Sequence, residues 1–143
     1  MEWHRRCDDT AMEMVNSEQL DWQKLRTVGA IDTDVLPVAV QDADTREMIM
    51  IAYLSREALA ETAHTGQAVF YSTSRHLLHR KGETSGDVLE VVSLRANCDS
   101  NSVLMEVRKQ GTGACHERDA NGNHYTSCFF RELVPVGGDP GEQ

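Results

Sequence analysis

Three cysteines in the last third of the chain, Cys98, Cys115 and Cys128, are the residues best suited to chemistry. Sixteen and twelve residues separate them, unlike the paired C-x2-C knuckles of small structural zinc sites. Three thiolates drawn from separate strands and loops could hold a zinc ion whose fourth position stays open to water. Zinc lowers the pKa of such a water to about 7, which gives hydroxide at neutral pH. His116, beside Cys115, has the chemistry of a proton shuttle or of a competing ligand. The same spacing also suits three small buried hydrophobes, a common fate for free thiols. Cys7 stands alone in a polar stretch and reads as a bystander.

Two further segments carry chemical potential. In Asn97-Cys98-Asp99-Ser100-Asn101, residues 97, 99 and 101 share one side of an extended backbone and Cys98 takes the other. Oxygen donors beside a sulfur would suit a hard cation next to a soft one, and the segment equally fits a plain turn between strands. Residues 75–86 form the one strongly basic stretch. Arg75, Arg80 and Lys81 are phosphate-binding types, Gly82 and Gly86 admit close backbone approach, and Thr84 and Ser85 add hydroxyl donors. No G-x4-G-K-[ST] loop is present, and a solvated surface loop is the alternative reading.

The elements that position these residues follow from periodicity. Ser17 could cap a short helix through about Thr27. Leu36, Val38 and Val40 alternate with Pro37, Ala39 and Gln41, the period of a half-buried strand. The turn residues 41–46 and the apolar run Met48–Leu54 complete a hairpin. Ser55 and Gly66 bracket a helix over 56–65. Strands are expected at 67–73, 88–96, 102–109 and 125–133, with irregular loops at 75–86 and 117–123. The predicted architecture is α+β, a mostly antiparallel sheet with one or two helices in a single domain over 17–133. Residues 1–16 read as a polar, acidic, loosely ordered extension and 134–143 as a flexible tail.

Composition sets bounds. A length of 143 residues supplies one core. A formal charge of −9 argues against a nucleic-acid partner, which needs a basic footprint. Nothing approaches 18 consecutive apolar residues and the first residues carry no apolar leader, so membrane insertion and secretion are not expected and the reducing cytoplasm is. The acidity is concentrated at the ends. Residues 1–21 carry six acids against two arginines and residues 132–143 carry three acids, whereas residues 72–86 hold three cations against Glu83. A small phosphorylated ligand would meet that local positive charge.

In combination, the motifs are more specific. Arg80-Lys81-Gly82-Glu83-Thr84-Ser85-Gly86, the Cys98 segment, Gly113-Ala114-Cys115-His116 and Ser127-Cys128-Phe129-Phe130-Arg131 occur in one order. That series resembles the phosphoribosyl-AMP cyclohydrolases of histidine biosynthesis. Val38-Ala39-Val40-Gln41-Asp42, the stretch 51–59 and Phe70-Tyr71-Ser72-Thr73-Ser74-Arg75 extend the resemblance from about Leu20 to Leu133. It implies a homodimer whose zinc ligands, shared between subunits, map to Cys98, Cys115 and Cys128. It also implies a magnesium site on aspartates flanking the first cysteine, here Asn97, Asp99 and Asn101, so two of three carboxylates are replaced by amides. The implied reaction opens the purine ring of phosphoribosyl-AMP between N1 and C6. Proton transfer would fall to His116 and metal anchoring or water orientation to Asp99. Substrate binding would fall to Arg75, His79, Arg80, Lys81, Thr84 and Ser85.

The departures cluster around the anion and base environment. His79 stands where the family has Trp, Asp87 where it has His or Asn, and Thr73 where its Ser-Arg-Ser-Arg has the first Arg. The spacer 117–126 between the second and third cysteines is longer. These changes leave open a divergent paralogue acting on another purine-like or pteridine-like nucleotide, and a non-catalytic zinc-stabilised binding protein.

Overall fold

Alternating apolar residues along Val35–Asp42 and Met48–Ser55 produce the central hairpin, strands β2 and β3, in the computed structural model, which describes residues 13–135. These strands belong to a four-stranded sheet in the order β3-β2-β7-β6, where β6 is Leu89–Ala96 and β7 is Val103–Lys109. β2 pairs antiparallel with β3 and parallel with β7, and β6 pairs antiparallel with β7. The register aligns Val38 with Ala52 and Val103, and Val40 with Met50 and Met105. Those side chains therefore share one face of the pleat, where Val38, Val40 and Met105 are fully buried. The opposite face carries Pro37, Ala39, Ile51 and Leu104 in register, and Ile51 is 59% exposed there.

Helix α2, Arg56–Thr65, covers the buried face with the expected bounds. Ser55 Oγ accepts the Ala58 N–H at 3.1 Å, and Gly66 ends the helix at φ 72°, a left-handed position that suits glycine. Thr62 Oγ1 both donates to the Val69 carbonyl and accepts the Val69 N–H, each at 3.0 Å, and so ties α2 to the next strand. That strand, β4 (Val69–Ser72), pairs antiparallel with β5 (Leu77–Arg80). Residues 75–86 are therefore not an irregular loop throughout. Cross-strand hydrogen bonding makes β5 a strand even though only Leu78 of its residues packs on the core, so its sequence shows no alternating pattern.

Three other expectations are corrected. Residues 13–16, read as part of a loose extension, form β1 (Glu13–Asn16), which pairs in parallel with β8 (Arg131–Val134). The helix expected over 17–27 is a single 3-10 turn, Ser17–Gln19, followed by the separate α1, Lys24–Gly29. Asn16 rather than Ser17 supplies the cap: its side chain accepts the Glu18 N–H while Gln19 Oε1 accepts the Asn16 N–H, which closes one turn only. The strand expected over 125–133 is confined to β8, because residues 125–128 hydrogen-bond to the 114–117 segment and to the start of β3 instead. Cys7 lies outside the described residues. No helix among the described residues is long and apolar enough to cross a membrane.

Asp42, buried at the end of β2, accepts the N–H groups of Asp44 (2.8 Å) and Thr45 (3.1 Å) and pairs with Lys109 Nζ at 3.3 Å. Burial alone would raise its pKa, but these donors outweigh burial and hold the carboxyl below its ordinary value. A carboxyl with a lowered folded pKa stabilises the fold above its unfolded pKa, and that stabilisation is lost as pH falls through the folded value. Asp42→Ala is expected to cost about 2–4 kcal/mol at pH 7 in urea unfolding. The difference from wild type should shrink below about pH 4.

Candidate active site

Cys115 and Cys128 come together although twelve residues separate them. The carbonyl of Tyr125 accepts the N–H groups of both Ala114 and Cys115, at 2.9 Å each. The Cys128 N–H donates to the Ile49 carbonyl at the start of β3 (2.7 Å), and Ser127 Oγ donates to the Met48 carbonyl (2.6 Å). The Tyr125 ring stacks on Phe130 with centroids 3.8 Å apart and planes 1° from parallel. The long spacer thus folds back on itself, with Arg118 bridged to His124. Gly113 admits this close return, since a Cβ there would lie 2.5 Å from the Cβ of His124. His124 Nδ1 lies 2.7 Å from the Cys115 carbonyl and donates to it.

Both thiols line the same hollow. Partial burial pushes the Cys128 thiol up to about 11, the neighbouring Cys115 thiol adds to the rise, and Lys81 opposes it. Cys128 is therefore protonated at neutral pH unless a cation joins the pair. Cys115 Sγ also accepts the Glu117 N–H at 3.4 Å, a donor suited to a thiolate. A soft divalent cation such as zinc fits this donor set.

A cleft of about 540 Å³ opens beside the pair. Its walls hold Cys115, His116 and Cys128 at one part and Arg75, His79 and Lys81 from the β4–β5 hairpin and its flank at another. Tyr53, Phe70 and Tyr71 supply apolar area. His116 is 87% exposed, and its Nε2 lies 3.4 Å from Glu117 Oε1. A neighbouring hollow of about 340 Å³ shares both thiols and His116 and adds Phe130 and Arg131. The cleft also contains Lys24 and Thr73, which the sequence patterns did not single out as ligands.

Several expected site residues lie elsewhere. Arg80, Thr84 and Ser85 do not line the cleft; the last two are exposed in the turn after β5, where Ser85 Oγ accepts the Asp87 N–H. Gly82 fixes that turn at φ 83°, and a Cβ there would lie 2.2 Å from the Asp87 backbone. Asp87 is buried, its carboxylate lying over Gly111. Asn97, Cys98, Asp99 and Asn101 occupy the exposed turn between β6 and β7 and also stand outside the cleft lining. Among the described residues of one chain, no three His, Cys, Asp or Glu side chains converge to hold a metal.

The β6–β7 turn closes itself without a cation. Asn97 Oδ1 accepts the N–H groups of Asn101 (2.9 Å) and Ser102 (3.0 Å), and Asn97 Nδ2 donates to Asn101 Oδ1 (2.7 Å). Both amide oxygens are engaged, which leaves Asp99 as the turn's one carboxylate. Magnesium does not fit this donor set.

A family model described as phosphoribosyl-AMP cyclohydrolase matches residues 50–130, the stretch that contains the hairpin cations and all three late cysteines. The chain belongs to the phosphoribosyl-AMP cyclohydrolase family. Similar members include the phosphoribosyl-AMP cyclohydrolases of Bordetella petrii, 47% identical over 102 residues, and Bordetella pertussis, 46% identical over 102 residues. Each of these alignments covers 71% of this chain and 72% of the relative. The phosphoribosyl-AMP cyclohydrolase of Azoarcus sp. is 44% identical over 106 residues, 74% of this chain and 76% of that one. Helix α1 and Lys24 lie outside the stretch that the family model matches.

Replacing both amides of the β6–β7 turn tests how it closes. Asn97→Asp/Asn101→Asp removes the Nδ2 donor and sets two carboxylates face to face. The double variant is expected to melt about 3–6 °C below wild type in chelator and to recover in millimolar magnesium, whereas wild type shows no response to magnesium.

Proposed function

We propose that the chain is a phosphoribosyl-AMP cyclohydrolase of histidine biosynthesis. The observation that carries this reading is the convergence of two thiols, an exposed histidine and a group of cations on one cleft. The reaction adds hydroxide to C6 of an N1-ribosylated purine and breaks the C6–N1 bond, with a proton delivered to the departing nitrogen. Ribosylation at N1 makes C6 electrophilic, so the enzyme's tasks are to hold a nucleophile, move protons and anchor the phosphates.

Cys115 and Cys128 would hold zinc, with Cys98 of a second copy as the third thiolate. An exposed Cys98 on a β-turn, remote from its own chain's pair, suits such sharing. When bound, zinc would supply a water acidified to a pKa of about 7. His116 is the proton carrier, with Glu117 orienting its imidazole. Arg75 and Lys81 bind phosphate, and His79 faces the heterocycle where the family has Trp. Asp99 on the turn of the second copy would orient water.

His79 also favours the second reading, a related hydrolase with a different purine-like or pteridine-like nucleotide, because a smaller polar ring replaces an indole in the cleft. A purified-enzyme assay separates the two: ring opening of phosphoribosyl-AMP, followed by its absorbance change, is expected without added magnesium. Ring opening no faster than the uncatalysed rate with zinc bound would leave the second reading.

Shared ligands make a stoichiometric prediction. Cys98→Ser and Cys115→Ser are each expected to lose at least 100-fold in kcat. Mixed in equal amounts and allowed to exchange subunits, half of the dimers are hybrids with one intact site of two. The mixture should recover about a quarter of wild-type activity. Zinc content by mass spectrometry should rise in parallel.

A further inference from the structure

The cleft holds a cation that neither the hairpin nor the thiol segment supplies. Lys24 projects from α1, and its Nζ donates to Thr73 Oγ1 at 2.8 Å across 49 residues of sequence. Thr73 is buried at the start of the β4–β5 turn, two residues before Arg75. The ammonium stands 6.0 Å from the centroid of Tyr53, at the outer limit of a cation–π contact. Helix α1 itself buries no residue, so packing of its own side chains does not explain where it sits. The Lys24–Thr73 bond is its tie to the cleft.

Carboxylates match some of the described cations and leave others unpaired. Lys109 is matched by Asp42 and Glu47, Arg46 and Arg95 by Glu106, Arg108 by Asp44, and Arg56 by Asp34. Among the described residues, no carboxylate pairs with Lys24, Arg75 or Lys81, nor with Arg26, Arg80, Arg118 or Arg131, and of these seven only the first three line the cleft. Three uncompensated cations on one cleft of a chain with net charge −9 call for an anionic ligand. The Lys24 ammonium reaches the β4–β5 hairpin at Thr73 from another element.

We propose that Lys24, seated on Thr73, is a phosphate-binding residue of the cleft that adds from α1 a third positive charge to those of Arg75 and Lys81. This rests on the cyclohydrolase reading for the identity of the substrate, which carries one phosphate on each of its two riboses. A phosphate remote from the reacting ring is gripped equally in the ground and transition states. Losing Lys24 therefore acts on binding and leaves the chemical step in place.

The test uses wild type, Lys24→Met, Lys24→Arg and the double variant Lys24→Met/Thr73→Arg. Lys24→Met is expected to raise KM for phosphoribosyl-AMP about tenfold or more while kcat falls less than threefold. Lys24→Arg and the double variant should return KM to within about threefold of wild type. Calorimetric titration with ribose 5-phosphate supplies a readout independent of turnover, and Lys24→Met should weaken it about tenfold. If wild type failed to open phosphoribosyl-AMP, the cyclohydrolase reading would fall and the titration would still decide the role of Lys24. Equal ribose 5-phosphate affinity in wild type and Lys24→Met, or no binding to either, overturns the proposal. A loss of kcat with unchanged KM, or an Lys24→Met/Thr73→Arg protein no better than Lys24→Met, overturns it too.

Discussion

One carbonyl oxygen organises the reactive end of the molecule. The Tyr125 carbonyl receives two N–H groups, from Ala114 and Cys115, and so brings the far end of the spacer back against its beginning. Without that return, Cys128 could not lie beside Cys115 and its amide could not reach Ile49. Every partner involved is backbone, so the arrangement tolerates a spacer of unusual length and composition. The Tyr125–Phe130 stack secures the return from the side-chain direction. What the central sheet contributes is a fixed edge: β3 begins where Cys128 docks, and the buried face behind it cannot shift without opening the core.

The legible parts of the sequence were those whose stability is local or periodic. The β2–β3 hairpin and α2 follow from alternation and from Ser55 and Gly66, and they occur where expected. β5 and β1 were illegible because each exists through a partner strand rather than through its own pattern. Residues 125–130 look like a strand by composition, yet their hydrogen bonds go to a loop and to the first residues of β3. The site shows the same division. Arg75, His79 and Lys81 are near one another in sequence and meet in the cleft, whereas Thr84 and Ser85, in the same basic stretch, are carried away by the turn at Gly82. Lys24 carried no signal at all, since only the fold brings it to Thr73.

The amide-closed turn and the lysine-supplied cation have a common logic. In each, a side-chain nitrogen donates to a side-chain oxygen that the fold brings within reach. Two amides bond to one another where carboxylates would need a cation between them. An ammonium arrives on the β4–β5 hairpin from a separate helix.

The pairing of β1 with β8 has a consequence for how the molecule forms. Glu13 lies opposite Arg131, so this two-stranded sheet joins the most distant parts of the described chain. Closing so large a loop is entropically costly and slow relative to the local hairpins. During synthesis, β1 leaves the ribosome early and waits, unpaired, while more than a hundred residues follow. The central sheet and α2 can consolidate in that interval. On this ground β1 is expected to dock last, as a clasp over a body already built, and its backbone amides to exchange with solvent first.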